Sequence, residues 1–179
     1  MAHRTRTEDC SVKEPSDLTG EVVDMLRSRR LTIGVAESLT GGLLIAELVR
    51  IPGASEVVRG GVVAYATDLK HRILDVDADL LAERGAVDAE VAVQMASGVR
   101  DRLGPGREPC SIGLSTTGFA GPGPQDGNPA GTVFIGLSRG DAGYARALLL
   151  SGDRQAIREQ TVRSAIEMLH AELVDVGQV

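Results

Sequence analysis

The sequence predicts an α/β fold: a single three-layer α/β/α domain with a mixed, mostly parallel sheet. Three observations carry this reading. Short apolar runs rich in β-branched residues alternate with longer segments of helical periodicity. Runs such as "LTIGVAE" are continuously apolar rather than alternating, as strands covered on both faces are. The last two runs are separated only by a short turn, which makes part of the sheet antiparallel. With 179 residues the chain has a one-domain length that can bury a core without disulfides or metal.

Taken in order, residues 1–15 are polar and read as a disordered leader, leaving 16–179 as the domain. "PSDLTGEVVDMLRSRR" (15–30) is a helix with Ser16 or Asp17 as cap and Leu18, Val22, Met25 and Leu26 on one stripe. Its basic end, "RSRR", suits the negative pole of a helix dipole. "LTIGVAE" (31–37) is a buried strand, and "TGGLLIAELVR" (40–50) a short helix stopped by Pro52 and Gly53. "GVVAYA" (61–66) follows as a strand and "DLKHRIL" (68–74) as a short helix. "DVDAD" (75–79) opens like a calcium loop, but Leu80 and Ala86 occupy the glycine and glutamate positions, so it starts a surface helix instead. A clear helix spans 87–103, capped by Asp88 and carrying Val91, Met95 and Val99 inward. Strands at 111–118, 131–138 and 143–150 and a long closing helix at 152–174 complete the set; Ile157, Thr161, Ala165, Met168 and Leu169 face the core.

Composition removes several functional classes. A net charge of −6 and 2 % aromatics argue against nucleic acid, which needs a surplus of cations and stacking platforms. Cys10 and Cys110 form no CxxC pattern, and His3, His71 and His170 have no ligand spacing, so neither a disulfide framework nor a metal site is expected. There is no membrane-length apolar run and no apolar signal core in "MAHRTRTEDC". A cytoplasmic, non-membrane protein is therefore expected. P-loop and dinucleotide glycine motifs are absent.

Ligands of layered α/β domains gather at the carboxyl ends of strands, here the loops 37–42, 65–70 and 117–127. The polar groups in or beside them are Glu37, Ser38, Thr40, Tyr65, Thr67, Lys70, Thr116 and Thr117. Lysine can replace histidine as the base of a serine nucleophile when burial or a second cation lowers its pKa. Lys70 is placed to reach Ser38 if strands 31–37 and 61–66 pair. Ser38 also precedes a glycine-rich helix start, where the amides of Thr40, Gly41 and Gly42 suit an oxyanion or a phosphate. A plain helix cap at Ser38 or Thr40 explains the same residues. "TTGFAGPGP" (116–124) is either a rigid turn or, through Gly118 and its neighbours, a loop that lets backbone approach a ligand. Arg154 of "SGDR" is either a solvated charge or a ligand for phosphate or carboxylate. Tyr65 stacks on a flat ring or covers the core edge.

Six segments occur together and in order: "AESLTGGLLIAELVRIPGAS", "GGVVAYATDLK", "GAVDAEVAVQMASGVRDRLG", "TGFAGP", "PAGTVFIGL" and "SGDR". In this register the chain resembles the C-terminal domain of the CinA (competence/damage-inducible) family over residues 18–174. Members of that family include nicotinamide-nucleotide amidases. The resemblance implies metal- and cofactor-free hydrolysis of the nicotinamide mononucleotide carboxamide, giving nicotinic acid mononucleotide and ammonia. By position it implies Ser38 as nucleophile, Lys70 as base, Tyr65 in the same pocket, and Thr117 and Arg154 as polar and charged partners of the substrate. With Ser38 so assigned, Thr40 is left as the cap, and Thr40, Gly41, Gly42 and Gly118 as backbone contacts. A homodimer or larger homo-oligomer is implied as well. The chain departs from the family pattern at Thr67, commonly Asn, and at Leu39, often Cys. At this length no pyrophosphatase-type N-terminal domain is expected. Two other readings compete: a nucleotide-binding module without chemistry, and a Ser/Lys hydrolase of a different small amide.

Overall fold

The computed structural model describes residues 17–106, 108–123 and 128–175; the expected leader, with His3 and Cys10, lies outside them. The element order is α1 (Leu18–Ser28), β1 (Ile33–Glu37), α2 (Leu43–Val49), a short 3-10 turn (Ala54–Glu56), β2 (Val58–Val63), α3 (Thr67–Leu74), α4 (Ala78–Arg84), α5 (Ala89–Arg102), β3 (Ile112–Gly118), β4 (Thr132–Arg139), β5 (Ala142–Leu149) and α6 (Arg154–Asp175).

The five strands form one sheet in the order β2-β1-β3-β4-β5. β1 pairs in parallel with both β2 and β3, while β4 runs antiparallel to β3 and to β5. Four strands therefore share one direction and β4 alone opposes them, which is the mixed sheet the short 139–142 turn predicted. The central strands are buried along their length, so their apolar runs do not alternate, whereas the edge strand β2 does alternate.

Helices cover both faces. α1, α2 and α6 enclose the larger core around Val22, Leu26, Val35, Leu44, Leu114 and Ile135. α3, α4 and α5 enclose a smaller one around Leu74, Val91, Met95 and Val99. The expected inward residues of α6, Ile157, Thr161, Ala165, Met168 and Leu169, are all buried. Arg29 of the basic patch donates to the Leu173 carbonyl near the C-terminus of α6, a structural use of that charge. Asp77 caps α4 through the amides of Asp79 and Leu80, so "DVDAD" is a helix start.

α5 lies unusually close to the sheet because glycine faces it. A Cβ on Gly113 would overlap the Ala96 carbonyl oxygen, and one on Gly136 that of Ala92. Neither helix backbone nor strand can yield there without moving the other. Gly113→Ala is expected to lower unfolding free energy by about 3 kcal/mol, the upper end for overpacking; urea denaturation measures it, and an unchanged midpoint would contradict the close approach.

Register decides where the site falls. Glu37 is paired with Val63 on one side and Thr116 on the other, so β1 and β2 end level while β3 runs two residues further, to Gly118. The ladder runs one residue further: the Ser38 amide donates to the Thr116 carbonyl at 2.9 Å, and the Ala64 amide to the Glu37 carbonyl at 2.9 Å. The segments after these strands are thereby delivered to one edge.

Candidate active site

A pocket of about 200 Å³ opens at that edge, lined by residues of all three expected loops, including Ser38, Tyr65, Lys70, Thr117 and Gly118, with Arg154 at its rim. A larger groove of about 340 Å³ between α1, α2 and α6 is lined by Leu18, Leu43, Glu47 and Val162 among others. It contains neither serine nor lysine, so the expected Ser38 and Lys70 meet only in the smaller pocket.

Ser38 leaves the end of β1 and is 8 % exposed; Lys70, on α3, is 1 % exposed. The Lys70 Nζ lies 3.0 Å from the Ser38 Oγ and donates to the Ala64 carbonyl at 2.9 Å. Both recorded partners are uncharged oxygens. Burial without a counter-ion pushes the ammonium down from its ordinary value of 10.5 to about 8. Near neutrality a useful fraction of Lys70 is therefore free amine. In that state its lone pair faces the Ser38 hydroxyl, which becomes the donor, while the Ala64 carbonyl anchors the other side of the nitrogen.

The glycine turn differs from the sequence expectation. Thr40 does not cap α2. Its hydroxyl pairs with that of Thr116 at 2.7 Å, and the helix begins at Leu43 after a Gly42 cap position with no side-chain cap bond. Gly41 and Gly42 have φ of 58° and 98°, left-handed values that glycine adopts without Cβ strain. The helix start is instead satisfied by Glu37, fully buried. Its carboxylate accepts from the amides of Gly42 (2.9 Å), Leu44 (3.1 Å) and Ile45 (2.9 Å). The Gly41 amide closes on the Ser38 carbonyl and the Leu43 amide on that of Thr40. The Gly41 and Gly42 amides are therefore not open to an oxyanion or a phosphate. A protein carboxylate already occupies the anion position of this helix end. Among the described residues, the amides of Leu39 and Thr40 are the ones on this turn left without an acceptor.

The other expected residues are brought to the pocket with defined partners. Thr117 donates its hydroxyl to the Ala86 carbonyl at 2.6 Å, which leaves the oxygen as an acceptor only. Arg154, the first residue of α6, donates to the Gly121 carbonyl and to the Tyr65 hydroxyl, each at 3.0 Å. This spans the mouth with a cation whose recorded partners are neutral. Tyr65 is 61 % exposed, a rim residue rather than a cover for the core. Thr67 lines the wall, as do Ala86 and Val87 of the segment before α5. The Ala86 and Val87 contribution was not legible, since a two-residue apolar pair carries no chemical signal. Glu37 was legible as a polar strand-end residue but not as the cap of α2. His71 turns its Nδ1 to the Val76 carbonyl at 2.8 Å and is not among the residues lining the pocket. Among the described residues no group of His, Cys, Asp and Glu is arranged for a metal ion, and no helix is long and apolar enough to cross a membrane.

The sequence model of the CinA C-terminal domain family matches residues 15–173. The chain belongs to the CinA family. It is 47 % identical over 156 residues to a CinA-like protein of Frankia casuarinae, covering 87 % of this chain and 35 % of that one. It is 43 % identical over 157 residues to a CinA-like protein of Dictyoglomus thermophilum, covering 87 % and 37 %. The present CinA domain thus spans about a third of the length of the curated relatives it matches. A crystal structure of a CinA superfamily protein from Klebsiella pneumoniae superposes with a TM-score of 0.83 at 31 % identity, covering 88 % of this chain and 96 % of that one. The fold and the family are those the six segments implied.

Proposed function

We propose that this CinA domain hydrolyses the carboxamide of nicotinamide mononucleotide to nicotinic acid mononucleotide and ammonia through a serine–lysine dyad. The observation that carries the reading is a buried lysine with no carboxylate partner, 3.0 Å from a serine oxygen at the head of a pocket. Lysine in a structural role is seldom placed so, because an unpaired buried ammonium costs stability.

Neutral Lys70 accepts the Ser38 proton as Oγ attacks the carboxamide carbon. The tetrahedral oxyanion meets the amides of Leu39 and Thr40, the donors this turn still has. Lys70, now ammonium, gives its proton to the departing nitrogen, and the C–N bond breaks to release ammonia. The ester on Ser38 is then cleaved by water, which passes its proton to Lys70; collapse returns the proton to Ser38 and frees the carboxylic acid. The Thr117 oxygen serves as acceptor for the carboxamide N–H. Tyr65 faces the ring, and Arg154 takes the phosphate at the rim.

A panel of nicotinamide mononucleotide, nicotinamide riboside, nicotinamide and unrelated primary amides, read by ammonia release, tests this. Turnover is expected for the mononucleotide. A thermal shift with the mononucleotide but no ammonia from any member would instead favour a binding module. Turnover of another amide alone would reassign the substrate. Because the working form is the free amine, kcat should rise about tenfold per pH unit below the lysine's value and level off above it, with the bend at about 8. A rate independent of pH from about 6 to 9 would remove Lys70 as the base.

A further inference from the structure

We infer that Arg158 is a positioning residue for the nucleophile, holding the turn that carries Ser38 by gripping two consecutive peptide carbonyls. The inference rests on the Ser38 assignment above and extends it to a residue outside the pocket wall.

Arg158 lies on α6 one turn beyond Arg154. Its Nε donates to the Leu39 carbonyl at 3.0 Å and its Nη2 to the Thr40 carbonyl at 2.9 Å. Its Nη1 is held by the Gln155 Oε1 at 2.9 Å. The two carbonyls belong to the residues directly after Ser38. A trans peptide is planar, so fixing a carbonyl fixes the N–H on its opposite side. Holding the Leu39 carbonyl sets the Thr40 amide, one of the two on this turn left without an acceptor. Holding the Thr40 carbonyl sets the Gly41 amide, which closes on the Ser38 carbonyl at 3.2 Å.

On the other flank, the Glu37 carboxylate holds the amides of Gly42, Leu44 and Ile45. The turn is thus clamped from both sides, its acceptors by a guanidinium and its donors by a carboxylate. It needs external restraint because two successive glycines form its centre. The i, i+4 spacing in "SGDRQAIR" puts Arg154 and Arg158 on one face of α6, so a single helix turn supplies the rim cation and the clamp.

The test compares wild type, Arg158→Ala and Arg158→Lys, with Ser38→Ala as the blank. Two readouts are used: kcat and KM for ammonia release from nicotinamide mononucleotide, and the rate at which an alkyl fluorophosphonate labels Ser38. Arg158→Ala is expected to lose about 100-fold in kcat, the scale of an ångström-level misplacement, with KM within about threefold of wild type. Labelling should slow in parallel. Arg158→Lys should not recover, because one ammonium cannot span two successive carbonyls as the planar fork does. Millimolar methylguanidinium should restore part of kcat to Arg158→Ala and none to Ser38→Ala. A folded Arg158→Lys with wild-type kcat and labelling overturns the inference. So does a higher KM at unchanged kcat, which would make Arg158 a substrate contact. Slowed labelling without ammonia from wild type would reject the substrate and keep the clamp; equal labelling rejects the clamp whatever the substrate.

Discussion

Ser38→Ala is expected to abolish ammonia release from nicotinamide mononucleotide, by about 10⁴-fold or more, while leaving the mononucleotide bound. In the proposed mechanism this hydroxyl is the attacking atom. Tyr65, Thr67 and Thr117 also bring hydroxyls to the pocket, but the Lys70 amine is bonded to Ser38 and the Ala64 carbonyl rather than to any of them, and the Thr117 proton is committed to the Ala86 carbonyl. Removing Oγ takes one of two oxygens from the Lys70 amine, a change worth about 1 kcal/mol of stability. The protein should stay folded, and calorimetry should find an affinity within severalfold of wild type. Quenched wild-type enzyme should carry an ester on the Ser38 peptide that the variant lacks. A folded Ser38→Ala enzyme retaining a tenth of the wild-type rate would end the nucleophile assignment.

Lys70→Met should be equally inactive and yet no less stable than wild type at pH 7. Lys70 has a folded-state value of about 8 against 10.5 in the open chain. Below both values its charge is buried at a cost on the order of 3 kcal/mol. Between them the unfolded chain binds a proton that the folded one does not, so wild-type stability rises with pH across that window. Methionine matches the stem and carries no charge, but it leaves the Ala64 carbonyl unpartnered, which costs about 1–3 kcal/mol. The net expectation at pH 7 is a variant between equal and about 2 kcal/mol more stable. Above about pH 10.5 the order should reverse, because wild type then buries a neutral amine. Urea denaturation at the two pH values reads both signs. A wild-type stability that falls from about pH 8 to 10 would contradict the desolvated amine. A catalytic group that costs stability and is retained is the expected pattern at an active site.

Much of the site could be located in one dimension. Ser38, Tyr65, Lys70, Thr117 and Arg154 stand at strand ends or a helix start, and all of them line the pocket. What could not be seen was which partners they take. Thr40 reads as a cap because its type and place suit one, but a carboxylate from the preceding strand satisfies the helix first. The buried Glu37 carboxylate accepts from three amides of this helix start, which compensate its desolvation where one hydroxyl offers little. Arg158 was invisible for a related reason: its bonds go to main-chain carbonyls 118 and 119 positions away, and backbone atoms have no sequence signature.

The alternation of apolar runs and amphipathic segments, by itself, determined the layered α/β class, the mixed sheet and the edge where ligands would gather. Those features follow from local periodicity and from the cost of exposing apolar surface. Only the tertiary structure decided that Glu37, Val63 and Thr116 stand level in register, that Lys70 is sealed from water without a counter-ion, and that the glycine turn is already filled by an acid. Strand register, burial and the competition for hydrogen-bond donors are properties of packed neighbours distant in sequence, and a linear pattern holds no record of them.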